Sequence, residues 1–447
     1  MPRLDLSALL FALFILLIRN PASAAPPLPK EEIQAVVEKE YPSLESLYKT
    51  FHTTPELSLM ERETAKRFAD ELRKTGFTVT EGVGGYGVVG VLENGKGKTV
   101  LIRTDLDALP VKEETGAQYA STVQTKDRAG ATVNVMHACA HDIHMTCAIG
   151  AARTLAALKD QWQGTLVVIG QPAEELGIGA RTMLMDGLFT KFPRPDYCLA
   201  LHVDAELETG KVGYVNGYSH ANVDSVDVTV RGVGGHGAQP QATKDPVVVA
   251  AQVVMALQTI ASRERHPRDP VVVTVGSIHG GTKHNIIPDD VKLQLTVRTY
   301  TDETRRKTLD AIERITKGIA IAAGIPKELE PTVTVTSEGT PSTYNTPELT
   351  DRVADVCREI MGKENVVERE PTMGGEDFGR YGKTEAKIPI CMYRLGATDP
   401  KRVAEFKQGK LSLPTLHSSK YLPEPQCIKL GVATMSAAAI DLLRVQK

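Results

Sequence analysis

Within nine residues the chain places Met136-His137-Ala138-Cys139-Ala140-His141-Asp142-Ile143-His144, and an acidic pair, Glu174-Glu175, follows downstream. Three imidazoles, a thiol and carboxylates make a mixed nitrogen, sulfur and oxygen donor set, which borderline-soft divalent cations such as zinc prefer. The chemistry this permits is hydrolysis, because a bound cation lowers the pKa of water and polarises a carbonyl. A single histidine is more often a hydrogen-bonded structural residue than a ligand. That reading weakens here because Cys139, His141, Glu175 and His202 all fall at strand ends or in adjoining loops, and a thiolate is itself stabilised by a cation. Adjacent carboxylates usually share a solvated face. In a strand or loop, however, successive side chains point in opposite directions, so one glutamate can ligate while its neighbour faces substrate. Such a neighbour can take a proton from water and later return it to a leaving amine.

The elements that must position these groups are legible from periodicity. Apolar residues recur at helical spacing over residues 30–76, with Gly76 as the stop. Strand text follows at 87–92 and 99–103, helical text at 144–158, and strands again at 165–169 and 197–201. Alternating strands and helices predict an α/β fold, a mostly parallel mixed sheet flanked by helices. Asp105 and Asp107 follow one strand, Glu174 and Glu175 another, and His202 a third. Ligands bind beyond the carboxyl ends of strands in open α/β sheets, so these groups can converge on one crevice. Residues 225–337 have a different rhythm: strand, helix, two strands, helix, strand. This is the split βαβ, ferredoxin-like order and reads as a second domain inserted between catalytic residues 25–224 and 338–447. Glu376, Asp377 and His417 come from that C-terminal return.

A chain of 447 residues exceeds the size at which one core usually stops growing. Its 42% hydrophobic and 24% charged residues are those of an ordinary globular protein, and a net charge of −3 gives no reason to expect nucleic acid or anionic lipid. At the N-terminus, Arg3 precedes an apolar stretch at residues 8–18, and Ala22-Ser23-Ala24 supplies a small-residue cleavage pattern. Residues 1–24 therefore read as a signal peptide rather than an anchor, with the mature chain starting near Ala25, exported to the periplasm or beyond and free of the membrane. Pairing among the six cysteines cannot be deduced from their spacing.

Two motifs read as coincidence. Gly82-Val83-Gly84-Gly85-Tyr86-Gly87 fits the dinucleotide pattern, but a strand follows where a helix N-terminus is required, so it reads as a glycine turn. Gly217-Tyr218-Ser219-His220-Ala221 lacks the last glycine of a nucleophile elbow and continues as strand text. In the inserted segment, Gly234-Gly235-His236-Gly237 holds a loop histidine with few packing neighbours. Asn285 precedes Ile286-Ile287-Pro288, and Arg298 lies on an alternating strand. Arg298 alone reads as a surface ion-pair residue or as a bidentate holder of a substrate carboxylate.

Taken together the chain resembles the aminoacylase, hippurate hydrolase and carboxypeptidase G family of two-metal hydrolases, on the side of the hippurate hydrolases and the plant hydrolases of indole-3-acetyl-amino-acid conjugates. The text that carries the resemblance includes His52-Thr53-Thr54-Pro55-Glu56-Leu57, Arg103-Thr104-Asp105-Leu106-Asp107-Ala108-Leu109-Pro110, the run at 136–144 and Gln171-Pro172-Ala173-Glu174-Glu175. It continues with Gly234-Gly235-His236, Asn285-Ile286-Ile287-Pro288-Asp289, Gly375-Glu376-Asp377-Phe378 and Leu416-His417. The resemblance implies two divalent ions per subunit, zinc, manganese or cobalt, on Cys139, His141, Glu175, His202 and His417. It makes Glu174 the general base beside a metal-bound hydroxide, while Asp107 orients a ligand histidine or otherwise supports the site. The inserted domain becomes a lid through which subunits dimerise. His236 then polarises the scissile carbonyl, often from the partner subunit, and Asn285 and Arg298 are candidate substrate contacts.

Two departures stand out. Ala140 replaces the family's usual glycine between the cysteine and the histidine, which strains the site if that position needs positive φ. Gln241 stands where a histidine often follows the lid proline. The resulting expectation is an amidohydrolase that cleaves N-acyl or N-aroyl amino acids or short peptide-like conjugates. A protein that binds such molecules without chemistry is the alternative.

Overall fold

The computed structural model describes residues 27–444; the expected signal peptide at 1–24 lies outside the described residues. An eight-stranded mixed sheet forms the larger part. Its order is Thr78–Val83, Gly87–Asn94, Gly164–Gln171, Lys98–Asp105, Tyr197–Glu208, Ile390–Thr398, Val212–Tyr214 and Val366–Glu368. The four central strands, Gly164–Gln171 to Ile390–Thr398, run parallel, and antiparallel pairs flank them on both sides.

Both faces of the centre are covered, which explains why its strands read as unbroken apolar runs rather than alternations. Val100, Ile102, Leu166, Val168 and Leu199 point to one face, into a core shared with helices Lys30–Thr53, His141–Ala157 and Cys427–Leu443. Their neighbours Leu101, Val167, Ile169, Cys198 and Ala200 point to the other, against Met183, Leu188, Phe378 and Tyr381. The period of two thus decides the face, while every position is buried.

Residues Asn222–Arg231, Val272–Gly280, Asp290–Thr299 and Thr332–Thr340 form a separate antiparallel sheet in the spatial order second, third, first, fourth. Helices Pro246–Arg263 and Asp302–Ala322 pack on it through Val249, Val253, Leu257, Ala311 and Ile312 against Val226, Val228, Leu293 and Leu295. Each helix is started by a side chain that accepts an orphan amide: Asp245 from Val247 and Thr301 from Thr304.

The glycine run at 82–87 is the turn of the antiparallel hairpin Thr78–Val83/Gly87–Asn94, with Gly84 and Gly85 at φ +67° and +115°. Ser219 lies in a strand and is fully buried, far from the exposed position an elbow gives its serine. All six cysteines are buried and free.

Candidate metal centre

The ligand candidates come from the carboxyl side of the central parallel strands. The strand Lys98–Asp105 delivers Asp105 and, two residues later, Asp107; Gly164–Gln171 is followed by Glu174 and Glu175. His141 opens the helix His141–Ala157, and Cys139 lies in the turn before it. His202 is different from the expectation. Its strand does not stop at residue 201 but runs to Glu208, because Ile390–Thr398 pairs alongside it through the register His202↔Arg394. His417 arrives from the C-terminal return, and its amide is bonded to the Ala138 carbonyl at 2.9 Å.

The donor atoms converge. Cys139 Sγ lies 3.6 Å from His202 Nε2 and 3.3 Å from His417 Nε2. Glu175 Oε1 lies 3.5 Å from His417 Nε2 and 3.8 Å from His141 Nε2. These separations suit donors gathered round a cation. Two of the atoms, His141 Nε2 and Glu175 Oε1, are buried without any hydrogen-bond partner, which is costly unless something else satisfies them.

The tautomers follow from chemistry. His141 Nδ1 faces the Asp107 carbonyl at 2.8 Å and His202 Nδ1 faces the Val203 carbonyl at 2.8 Å. A carbonyl only accepts, so both Nδ1 atoms carry a proton and both rings turn Nε2 toward the cluster, the nitrogen through which each can ligate once it is free of a proton. His144 is held instead as a support: Nε2 accepts the Val203 amide at 3.0 Å while Nδ1 meets Asp105 Oδ1 at 2.8 Å. His137 is buried with both ring nitrogens unpartnered, and burial pushes its pKa down to about 4, so it packs as a neutral ring.

The electrostatics point the same way. Burial, Glu376 and Glu175 push the Glu174 carboxyl well above its ordinary range. Burial chiefly raises Glu175 to about 7 and also lifts the Cys139 thiol, which Glu175 pushes further. Burial opposes charge on His141, yet Asp105 and Cys139 outweigh it and hold the imidazole well above its usual value. Every one of these shifts draws a proton into a pocket with surplus negative charge. A divalent cation supplies the same positive charge and displaces the protons, so the residues present fit a metal.

Asp107 makes a contact not foreseen from the sequence. Its Oδ1 accepts the Glu174 amide at 3.2 Å, and its Oδ2 accepts the Glu175 amide at 3.0 Å and the Ser58 hydroxyl at 2.6 Å. One carboxylate thus fixes the backbone of both glutamates while its main-chain carbonyl fixes His141. Beneath it, the fully buried Arg103 reaches Asp105 at 2.7 Å, Glu376 at 3.0 Å and Asp377 at 3.2 Å, tying the C-terminal return to the central strand. Ala140 sits at φ 60°, fully buried at the N-cap of the ligand helix. A left-handed alanine costs about 1–2 kcal/mol, so this position does need the conformation for which glycine is suited.

A cavity of about 1230 Å³ opens over the cluster, lined among others by Cys139, Glu174, Glu175, His202, His417 and Arg298. His236 and Asn285 do not line it. They lie together on an exposed two-stranded ribbon, His236 pairing with Ile286 and Asn285 accepting the Gly237 amide. Among the cavity residues not singled out from sequence are His220 and Arg394. The available signal for Arg394 was a lone charge in the otherwise apolar strand Ile390–Thr398.

A parallel-centred α/β sheet with buried histidine, cysteine and glutamate donors at its carboxyl edge defines a metallohydrolase. The description "Peptidase family M20/M25/M40" matches residues 101–417, and the chain belongs to that family, whose members act on amide and peptide bonds. It is 35% identical over 393 residues to thermostable carboxypeptidase 1 of Saccharolobus solfataricus, covering 87% of this chain and 92% of that one. It is 38% identical over 352 residues to the hippurate hydrolase of Campylobacter jejuni, covering 78% and 86%. A dinuclear metal-binding peptidase of the M20 family from Bacillus subtilis superimposes with a TM-score of 0.74 at 25% identity, covering 91% of this chain and 99% of that one. Divalent metal binding and amide hydrolysis are therefore properties of this protein.

Proposed function

We propose that the protein hydrolyses N-acyl or N-aroyl amino acids, or short peptide-like conjugates, to a carboxylic acid and a free amino acid. The observation that carries this reading is the division of labour in the acidic pair. Both glutamates face His141, Glu175 at 3.8 Å and Glu174 at 3.9 Å, but only Glu175, through an unpartnered oxygen, also faces His417, while Glu174 gathers with Glu376 and Asp377. Relatives named as a hippurate hydrolase and a carboxypeptidase support the substrate class.

Cys139, His141, Glu175, His202 and His417 would hold two divalent ions, zinc, manganese or cobalt, which supply a Lewis acid and water of lowered pKa when bound. Glu174 takes the proton from the attacking water and returns it to the leaving amine; its buried, acid-flanked carboxylate is a stronger base than an exposed one. Asp107 keeps Glu174 and Glu175 in place through their amides. Arg298 takes the amino-acid carboxylate: it lines the cavity and has no ion-pair partner among the described residues. We read residues 25–224 and 338–447 as the catalytic unit and 225–337 as a lid through which two subunits pair. On that reading His236 and Asn285, outside this chain's own cavity, serve the partner's site, with His236 polarising the scissile carbonyl. The exposed apolar residues Met255, Ile278 and Ile286 on the same segment support a covered surface there.

The test is Glu174→Gln assayed on hippurate and N-acetyl amino acids, with bound metal measured alongside. Turnover falls by roughly 10²–10⁴-fold with metal content unchanged, and a chelator abolishes wild-type activity. Near-normal turnover in the variant would remove Glu174 from its role, and chelator-resistant activity would remove the metals from theirs.

A further inference from the structure

The cavity holds a second guanidinium that this reading leaves unused. Arg394 is the one incompletely buried residue of the strand Ile390–Thr398 and stands in register beside His202 of the parallel neighbour, so both side chains leave the sheet on the same side. Its Nη2 lies 2.8 Å from His220 Nε2. A guanidinium can only donate, so Nε2 accepts, and the imidazole proton sits on Nδ1, 3.0 Å from the Ser219 hydroxyl. His220 is therefore neutral. It anchors Arg394 without cancelling its charge.

Two other arginines nearby are compensated. Arg103 meets three carboxylates, and Arg369, also on the cavity, meets Asp204 at 3.0 Å. Arg394 has no ion pair among the described residues, and burial depresses its pKa despite the more distant carboxylates of Asp204 and Glu376. A guanidinium held in a cavity wall by a neutral partner, with donors to spare, is unfavourable until an anion arrives. Arg298, also free of ion pairs, accounts for one carboxylate of the substrate.

We propose that Arg394, fixed by His220, is a specificity-determining residue that binds a second carboxylate, so that the preferred substrates are N-acyl amino acids with an acid in the acyl group or amino-acid side chain besides the α-carboxylate. The inference rests on the amide-hydrolysis reading for its context but is testable without turnover.

Two matched pairs separate the sources of that acid. N-succinyl-phenylalanine against N-(4-methylpentanoyl)-phenylalanine places or removes a carboxylate on the acyl side, and N-benzoyl-glutamate against N-benzoyl-glutamine does so on the amino-acid side. The metal-loaded wild type favours the acidic member of one pair in kcat/KM by roughly tenfold to a hundredfold. Arg394→Met loses that preference and Arg394→Lys keeps part of it; because the readout is a ratio, a general loss of activity cancels. Calorimetric binding of succinate against 4-methylpentanoate to wild type and Arg394→Met gives the same comparison without catalysis. A wild type that prefers the neutral member of both pairs, or a preference unchanged in Arg394→Met, overturns the proposal. Hydrolysis of none of the four amides, with tighter succinate binding that depends on Arg394, sinks the proposed function and leaves this site standing.

Discussion

Asp107→Asn isolates the contribution of one carboxylate to the geometry of the centre. The side chain is fully buried, and its two oxygens accept the amides of Glu174 and Glu175 together with the Ser58 hydroxyl. Asparagine keeps the shape but offers one oxygen, so whichever way the amide is turned, one of the two backbone N–H groups faces an NH2 and loses its acceptor. Ser58 can rotate to accept instead of donate. A buried donor without a partner costs about 1–3 kcal/mol, and loss of the charge weakens the surviving bonds further. Burial opposes ionisation of Asp107, but His141, Ser58 and the Glu175 amide hold its pKa below the ordinary value, so the charge is present throughout the neutral range. The same change loosens Glu175 and His141, and losing such outer contacts lowers metal affinity by roughly 10–100-fold. Urea unfolding of the metal-free proteins reads the first effect and a chelator competition the second. Stability within about 0.5 kcal/mol of wild type, the range of an inconsequential surface change, combined with unaltered metal affinity, would refute the assignment.

Two further outcomes follow from the site and its surroundings. His52 is buried between Asp142 at 2.6 Å and Glu113 at 3.0 Å; burial opposes its charge, but these carboxylates raise its pKa to about 10. A raised histidine contributes stability that is complete below its unfolded value of about 6.5 and is lost as pH climbs through the folded one. The stability gap between wild type and His52→Gln in urea therefore narrows from pH 7 to 10, and a constant gap contradicts a charged His52. If His236 serves the partner's site, His236→Ala and Glu174→Gln are each inactive alone, yet mixing them after subunit exchange restores about a quarter of wild-type activity, because half the dimers are mixed and each has one intact site. No recovery between subunits shown to exchange contradicts the shared site.

The sequence patterns carry far where chemistry and neighbours are local. The apolar runs before Asp105 and Glu174 locate both groups at strand ends because a strand buried on two faces leaves little else for such text to be. The alternation at 226–230 and 291–299 likewise announces the second sheet. What escapes depends on distant partners. The strand bearing His202 extends to Glu208 only because residues 390–398 pair with it, nearly two hundred positions away. The hold of Asp107 on Glu174 and Glu175 is made to backbone amides, which leave no trace in residue identity. Ala140 shows the reverse. Its oddness was legible as a departure from glycine, and the left-handed backbone supplies the reason.

The tie between His417 and the Ala138 carbonyl, with that between Arg103 and the Glu376-Asp377 pair, sets an order of events in biogenesis. A growing chain that has emerged through the four-stranded sheet already carries Cys139, His141, Glu175 and His202, but it lacks His417 and two of the three carboxylates that offset Arg103. Contacts spanning so much sequence form late. On the proposed ligand set, full loading with metal would therefore require the completed C-terminal return.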